Sequence, residues 1–370
     1  MVIQKIVIFL QISKYLSLLA VSAHLILPIK AFAQDAKGGY SRIQGVDKEP
    51  EKKEGLFVDG LTIDFREEMR MFVQNISKYA RTHRPNFTII AGGGLELLVK
   101  RNEINRSQVS PARTYIRSLD GVMQRGLFHD EKTKDSPFGS KTDIFKQEKM
   151  LALAKTAKES GLRVFVLDFS KKKSIIDEIE KLSNERDYIS TVVDAPFINI
   201  QRLPSYPTPP FRENPKSILS LNMVKNFATI TNSAPFGHQD SFTLKMHETN
   251  HDMIVVDILH GRRPLTRQAV ETLKFKKIGT RRLAIAYMDI GSAVSYHYYW
   301  KPGSRTGSPP WVSEAERDDP DRYKVEYWRP EWQEIITGST NSYIYGLIAQ
   351  GFDGVILNGL GAYKFFESDS

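Results

Sequence analysis

Asp120, Asp168, Asp257 and Asp289 share one setting: each closes a short apolar run, and Asn358 closes another. Carboxylates delivered at strand ends are what glycoside hydrolysis uses. One is kept protonated by burial or by its neighbour's charge and donates to the leaving oxygen, while another, ionised, attacks the sugar or activates water. Alternate residues of a strand share a face, so Asp168 lies with Val164 and Val166, Asp257 with Met253 and Val255, and Asp289 with Ile285 and Tyr287. Where those faces look into one mouth, the acids converge. The competing role of each is structural, since an aspartate at a strand end also caps a helix or binds loop amides. Asp168, Asp257 and Asp289 are the catalytic candidates. Asp120 and Asn358 are read as ligand contacts; Asn358 keeps a hydrogen-bonding shape but cannot take a proton as a carboxylate does.

A second set suits a sugar platform. All four tryptophans, Trp300, Trp311, Trp328 and Trp332, fall between residues 300 and 332, beside Tyr296, Tyr298, Tyr299, Tyr323 and Tyr327. A flat ring covers the apolar face of a pyranose while tyrosine hydroxyls reach its edge, although such rings also simply pack loops. Trp300, Tyr327 and Trp328 are taken as ligand contacts and Trp332, inside the next helix, as packing. Tyr287 and Ser292 join them, because Tyr287 to Trp300 reads as a buried strand opening into a binding loop.

Positioning these residues requires alternating elements. Asp64 and Glu67 form a capping pair before Met69, Phe72, Val73, Ile76 and Ala80, which recur at helical spacing. Strands are expected at Phe87–Ile90, Tyr115–Leu119, Arg163–Leu167, Tyr188–Val193, Asn226–Ile230, Asp252–Val256, Arg282–Ile290, Tyr323–Tyr327 and Gly354–Leu357, with helices between most of them. A proline-rich connection, Leu203–Pro215, interrupts the rhythm. Short apolar strands alternating with helices argue a parallel sheet, closed or open. The nine runs exceed by one the eight of a barrel, so one is peripheral.

Two stretches carry a family resemblance. Tyr287-Met-Asp-Ile-Gly-Ser-Ala-Val-Ser and Gly351-Phe-Asp-Gly-Val-Ile-Leu-Asn-Gly-Leu-Gly-Ala-Tyr363 resemble the Tyr-hydrophobic-Ser-Ile-Gly-Glu-Ala-Glu and Gly-Phe-Asp-Gly-Val-x-Leu-Asp motifs of glycoside hydrolase family 114, the endo-alpha-1,4-polygalactosaminidase-like group. The likeness continues through Lys324-Val-Glu-Tyr-Trp-Arg-Pro-Glu-Trp332, Tyr115-Ile-Arg-Ser-Leu-Asp-Gly121 and Phe72 to Leu98, and spans residues 65 to 366. It implies a secreted (β/α)8 TIM barrel, in the α/β class, that handles an amino-sugar-containing polysaccharide. Asp168 and Asp257 match acidic positions of the family. Ser292 stands where the family has Glu, Asn358 and Gly361 where it has Asp, and Asp289 where it has Ser. With three acids neutral, the leading expectation is a polysaccharide-binding barrel whose hydrolytic activity is weak or lost. The alternatives are an active endo-glycosidase using paired aspartates and a non-enzymatic envelope scaffold.

Composition bounds the rest. Lys5 and Lys14 precede an apolar segment, Tyr15–Leu27, and Ala31-Phe32-Ala33 fits a cleavage site, so residues 1–33 read as a signal peptide of a secreted or periplasmic protein. The apolar stretch is shorter than the roughly 20 residues a span needs, so no membrane span is expected after processing. Residues 34–62, rich in charge and poor in apolar groups, read as a flexible leader before a single domain, 63–370. The chain has no cysteine, hence neither disulfide frame nor thiol nucleophile. Its net charge of +9 includes three lysines within residues 1–33 and no acid there, leaving 9 − 3 = +6, too little and too scattered for nucleic acid.

His247-Glu-Thr-Asn-His251 has the His-Glu-x-x-His spacing of zinc-binding helices, but a strand expected directly after it cuts the helix short, and no metal or cofactor is assigned. Gly92-Gly-Gly94 lacks the spacing of a phosphate cradle and reads as a tight turn. The basic run Arg262 to Arg282 reads as a solvated outer helix, with contact to an anionic polymer as its alternative. Neither the polymer nor the oligomeric state is fixed by these residues.

Overall fold

The computed structural model describes residues 57–58, 61–101, 109–132, 136–317 and 319–368; the proposed signal peptide and nearly all of the leader lie outside them. Asp64 starts the first long element, its carboxylate accepting the Glu67 amide at 3.0 Å and so satisfying a free amide at the head of α1 (Phe65–His83). Met69, Phe72, Val73, Ile76 and Ala80 are all buried on one stripe of this helix.

Eight parallel strands follow: β1 (Thr88–Gly92), β2 (Gly121–Arg125), β3 (Arg163–Phe169), β4 (Ile189–Val193), β5 (Phe227–Ile230), β6 (Met253–Asp257), β7 (Leu283–Asp289) and β8 (Gly354–Asn358). Their order in the sheet is β4-β3-β2-β1-β8-β7-β6-β5, the order of a (β/α)8 barrel that is nearly closed. Helices α2 (Arg113–Arg117), α3 (Ile144–Glu159), α4 (Lys173–Asn184), α5 (Gln239–His247), α6 (Arg267–Leu273), α7 (Pro330–Thr337) and α8 (Tyr343–Gln350) fill the crossovers, and α9 (Tyr363–Ser368) follows β8. Among the described residues no helix is long and apolar enough to cross a membrane.

One joint differs. No α-helix links β4 to β5, and these strands come side by side without a hydrogen-bonded ladder. The proline-rich segment between them packs over this seam, with Pro204, Tyr206 and Phe211 against Thr191 and Phe227. It then runs beneath the barrel, where Ile218 donates to the Arg281 carbonyl at 2.9 Å. Leu221 closes the floor so tightly that a Cβ on Gly121 would lie 3.2 Å from its side chain and 2.9 Å from the Arg163 carbonyl. A fully buried ion pair, Lys276 to Asp252 at 2.6 Å, fastens this strap: the ammonium also donates to the carbonyls of Asn214 and Lys216, and the carboxylate accepts the Lys225 amide.

Register identifies the inward face. The rings of Phe165 on β3 and Phe227 on β5 meet at 5.4 Å although their strands are not ladder partners, so the contact passes through the interior. The same parity carries inward Met123 and Arg125 on β2, Asp257 on β6, Tyr287 and Asp289 on β7 and Asn358 on β8. Asp168 has the opposite parity and faces outward, away from the mouth in which the acids were expected to meet.

Three local expectations are corrected. Tyr115–Leu119 is not a strand: Arg113–Arg117 is helical, and β2 begins at Gly121, after the Asp120 that was expected to close it. The surplus run near Tyr323–Tyr327 belongs to Asp319–Val325, the central strand of an antiparallel three-stranded sheet with Ser292–Val294 and Val312–Glu316, inserted after β7. The basic run is not wholly solvated. Lys274, Lys276 and Arg282 are buried, and Arg282 donates to the carbonyls of Leu273 and Met246, which belong to the last turns of α6 and α5.

Candidate functional site

At the carboxyl ends of β1, β2, β7 and β8 lies a cavity of about 480 Å³, roofed in part by the inserted sheet. This is the end at which barrels of this architecture carry their chemistry, because the loops after the strands converge there over a packed core. Tyr287, Asp289, Ser292 and Asn358 line it, together with Arg125, Glu131, Phe197, Glu316, Arg322 and Lys324.

Asp289 is held on every side. Its Oδ1 accepts the amides of Gly291 and Ser292, each at 2.9 Å, and its Oδ2 accepts Asn358 Nδ2 at 2.8 Å. The close turn depends on Gly359, where φ is 80° and a Cβ would fall 2.3 Å from Asp289 Oδ1. Arg322, 3.7 Å from Asp289 Oδ2, donates to Ser292 Oγ at 2.9 Å. Burial lowers the affinity of Arg322 for its proton, but the charges of Asp289, Glu316 and Asp319 outweigh it and hold the guanidinium above its ordinary range.

On the other wall, Phe197 is buried between two inward side chains. The Arg125 guanidinium lies 4.3 Å from its ring centre and the Tyr287 ring 5.2 Å. Glu131 fixes the loop by accepting the Phe197 amide at 2.9 Å. Burial, and next the charge of Asp289, push the Tyr287 phenol well above its ordinary range, so it stays protonated and can donate a hydrogen bond.

The other expected site residues lie elsewhere. Asp257 points inward at the end of β6, in register with Tyr287, but does not line the cavity; it accepts the Leu259 amide at 2.8 Å. Burial pushes its carboxyl up to about 6, against that hydrogen bond and the charge of Arg322. Asp168, fully buried on the outer face, accepts the amides of Leu127, Phe128 and His129 at 2.7, 2.9 and 3.3 Å, and burial against those amides pushes it up to about 7. Asp120 is at the opposite end of the barrel, where it pairs with Arg81 at 2.9 Å and accepts the Ile89 amide.

The tryptophans do not wall the cavity. Trp300 lies against Tyr323 at 4.6 Å, Trp328 against Phe65 and Phe366 at 4.9 and 4.7 Å, and Trp332 donates to the Ile290 carbonyl at 3.0 Å. Tyr327 is fully buried and donates to the Phe65 carbonyl at 2.7 Å. They pack the inserted sheet, α7 and α9 onto the barrel. The two histidines of the His-Glu-x-x-His spacing share no helical face, since α5 stops at His247; Glu248 pairs with Lys245 at 2.7 Å.

Sequence reasoning missed Arg125, Glu131, Phe197, Glu316, Arg322 and Lys324. A signal existed for two of them: Arg322 and Lys324 stand two apart on one strand, and their register partners are Val294 and Ser292.

The fold and the cavity define a (β/α)8 barrel with a polar mouth built from both β-strand ends and an antiparallel insertion. The chain is 40% identical over 83 residues to an uncharacterized protein of Deinococcus radiodurans, covering 22% of this chain and 26% of that one. It is 26% identical over 161 residues to one of Thermotoga maritima and 29% identical over 171 residues to one of Methanocaldococcus jannaschii, covering 41% and 43% of this chain. The matches thus span from 26% to 48% of the length of these curated relatives. No protein-family model matches the chain. Among solved structures, a hyperthermophilic endo-beta-1,4-glucanase in complex with substrate shares 13% identity over 58% of this chain and 62% of that one, with a TM-score of 0.21.

Proposed function

We propose that this chain is a polysaccharide-binding barrel of the glycoside hydrolase family 114 type, in which hydrolysis is weak or lost. The observation that carries the reading is the condition of Asp289. It is the one acid of the strand-end series that lines the cavity, and both of its oxygens are taken up by two amides and Asn358. At Ser292, where the resemblance expects a glutamate, a hydroxyl accepts from Arg322 instead. A carboxylate bound in this way orients a loop. General acid catalysis needs a group that can exchange its proton with the leaving oxygen, and retaining attack needs a free carboxylate facing the anomeric carbon. The sugar-binding part rests on the size of the cavity, on Tyr287, Ser292 and Asn358 as edge contacts, and on the resemblance. Secretion accords with the signal-like segment at residues 1–33.

The test is incubation of the purified protein with galactosamine-containing and other envelope polymers, measuring binding and new reducing ends. Binding without release supports the reading; release of reducing ends that scales with enzyme overturns the loss of hydrolysis.

One observation favours the active alternative. Asp257 points into the barrel in register with Tyr287 of the cavity wall, within reach of the charge of Arg322, and burial raises its carboxyl to about 6, the proton affinity of a general acid at mildly acidic pH. In that reading Asp257→Asn abolishes release of reducing ends while leaving binding intact.

A further inference from the structure

The lining of the cavity is uneven in a way that formal charge hides. Arg125, Arg322 and Lys324 face Glu131, Asp289 and Glu316, so the signs balance. What differs is which groups are already engaged. Asp289 accepts three hydrogen bonds and Glu131 accepts the Phe197 amide. Arg322 lies among Asp289, Asp319 and Glu316, each of which strengthens its hold on its proton, and it donates to Ser292.

Arg125 and Lys324 remain, two cations against one lining carboxylate, Glu316, that likewise has no ion pair or side-chain hydrogen bond among the described residues and acts on Arg322 only through its charge. Among the described residues neither cation forms an ion pair or donates a side-chain hydrogen bond; each instead rests on an aromatic face, Arg125 on Phe197 at 4.3 Å and Lys324 on Phe365 at 4.8 Å. Both are half-buried. Stacking fixes a cation's position while leaving its in-plane N–H groups free, and a half-buried cation without a counterion carries a desolvation cost that an incoming anion relieves.

We propose that the cavity takes an acidic polysaccharide, one whose sugars carry carboxylates, with Arg125 and Lys324 as the residues that read them. This rests on the sugar-binding reading and deepens it: a polymer of free, unacetylated amino sugars brings ammonium groups toward two unpaired cations, an N-acetylated one brings no charge, and a polyuronate brings the complementary charge. The planar guanidinium of Arg125 matches a carboxylate through two parallel N–H donors, and Lys324 acts as a point charge on a neighbouring unit. Tyr287, kept protonated beside Arg125, adds a neutral donor.

The test is calorimetric titration of the full chain with polygalacturonate, its methyl ester, dextran sulfate and polygalactosamine. Polygalacturonate is expected to bind at least about tenfold more tightly than its neutral ester, a difference of about 1.4 kcal/mol. Arg125→Gln is expected to remove most of that preference and Lys324→Gln part of it, with the thermal midpoint unchanged, while Arg263→Gln, at an exposed position away from the cavity, leaves it intact. Equal affinity for acid and ester, or a preference indifferent to Arg125→Gln, overturns the proposal while sugar binding stands. Dextran sulfate bound as tightly as polygalacturonate and equally sensitive to Arg125→Gln overturns the carboxylate assignment. Binding of none of the four removes the sugar-binding reading and this proposal with it.

Discussion

Asn358 and Asp289, register partners at the ends of adjacent barrel strands, are joined by a 2.8 Å hydrogen bond from the amide nitrogen of one to the carboxylate of the other. The amide neutralises nothing, yet it lets a carboxylate persist at the bottom of a cavity without a second negative charge beside it. Asn358→Asp creates that second charge. Two carboxyls at this separation share a proton, so one of them acquires a pKa above its unfolded value, and the stability it carries is present at low pH and lost as pH rises through the raised value. The variant is expected to match the parent at pH 4 and to fall below it by about 1 to 3 kcal/mol at pH 8, read from urea midpoints at both pH values. A deficit of equal size at the two pH values would sink this account.

Asp257 supplies a pH dependence of its own. Its carboxyl is raised from 3.8 to about 6 in the folded state, so folding takes up a proton between these values and this group's contribution declines as pH climbs from about 4 to 6. Asp257→Asn keeps an oxygen for the Leu259 amide and removes the burden. Its stability relative to the parent is expected to rise by up to about 2 kcal/mol between pH 4 and pH 8, with thermal melts as the readout.

Asp168 answers a different question, whether an outward acid belongs to any chemistry. Three loop amides converge on it, and an asparagine there turns an N–H toward at least one of them. Burial raises this carboxyl to about 7, so its charge is itself a burden at pH 8; Asp168→Asn is expected to cost about 1 to 3 kcal/mol in a urea melt at pH 5, where the parent's acid is protonated, and less at pH 8. It should leave ligand affinity at the cavity unchanged once the folded fraction is corrected for.

Lys276→Met leaves Asp252 buried without its cation and frees the carbonyls of Asn214 and Lys216. The expected loss is about 3 to 5 kcal/mol. The double variant Lys276→Met with Asp252→Leu is expected to recover part of it, which a double-mutant cycle by chemical denaturation measures.

The barrel was legible because its strands are short apolar runs of the right length separated by helical spacing, and seven of the eight fall where those runs stand. The exception, β2, begins with a glycine and ends in two polar residues, Gln124 on the outer face and Arg125, which enters the mouth, so its last residues erased the apolar strand pattern. The site was half legible. Tyr287, Asp289, Ser292 and Asn358 do meet at one cavity, since strand ends are fixed by the fold. Asp168 did not follow, because alternation says which residues share a face and leaves open which face is inside. Trp328 and Tyr327 were beyond reach for another reason: whether a ring packs α1 and α9 or greets a ligand depends on where α9 folds back, and no local pattern encodes that.

The unladdered seam between β4 and β5 has a consequence for how the molecule comes apart. A fully closed cylinder has no outermost strand to peel, whereas this one has two, each with a row of backbone donors and acceptors that no neighbour occupies. The strap through Pro204, Tyr206 and Phe211 therefore serves as an edge guard. Nicking it by proteolysis would uncover two sticky borders at once, and strand exchange between molecules would begin at that slit.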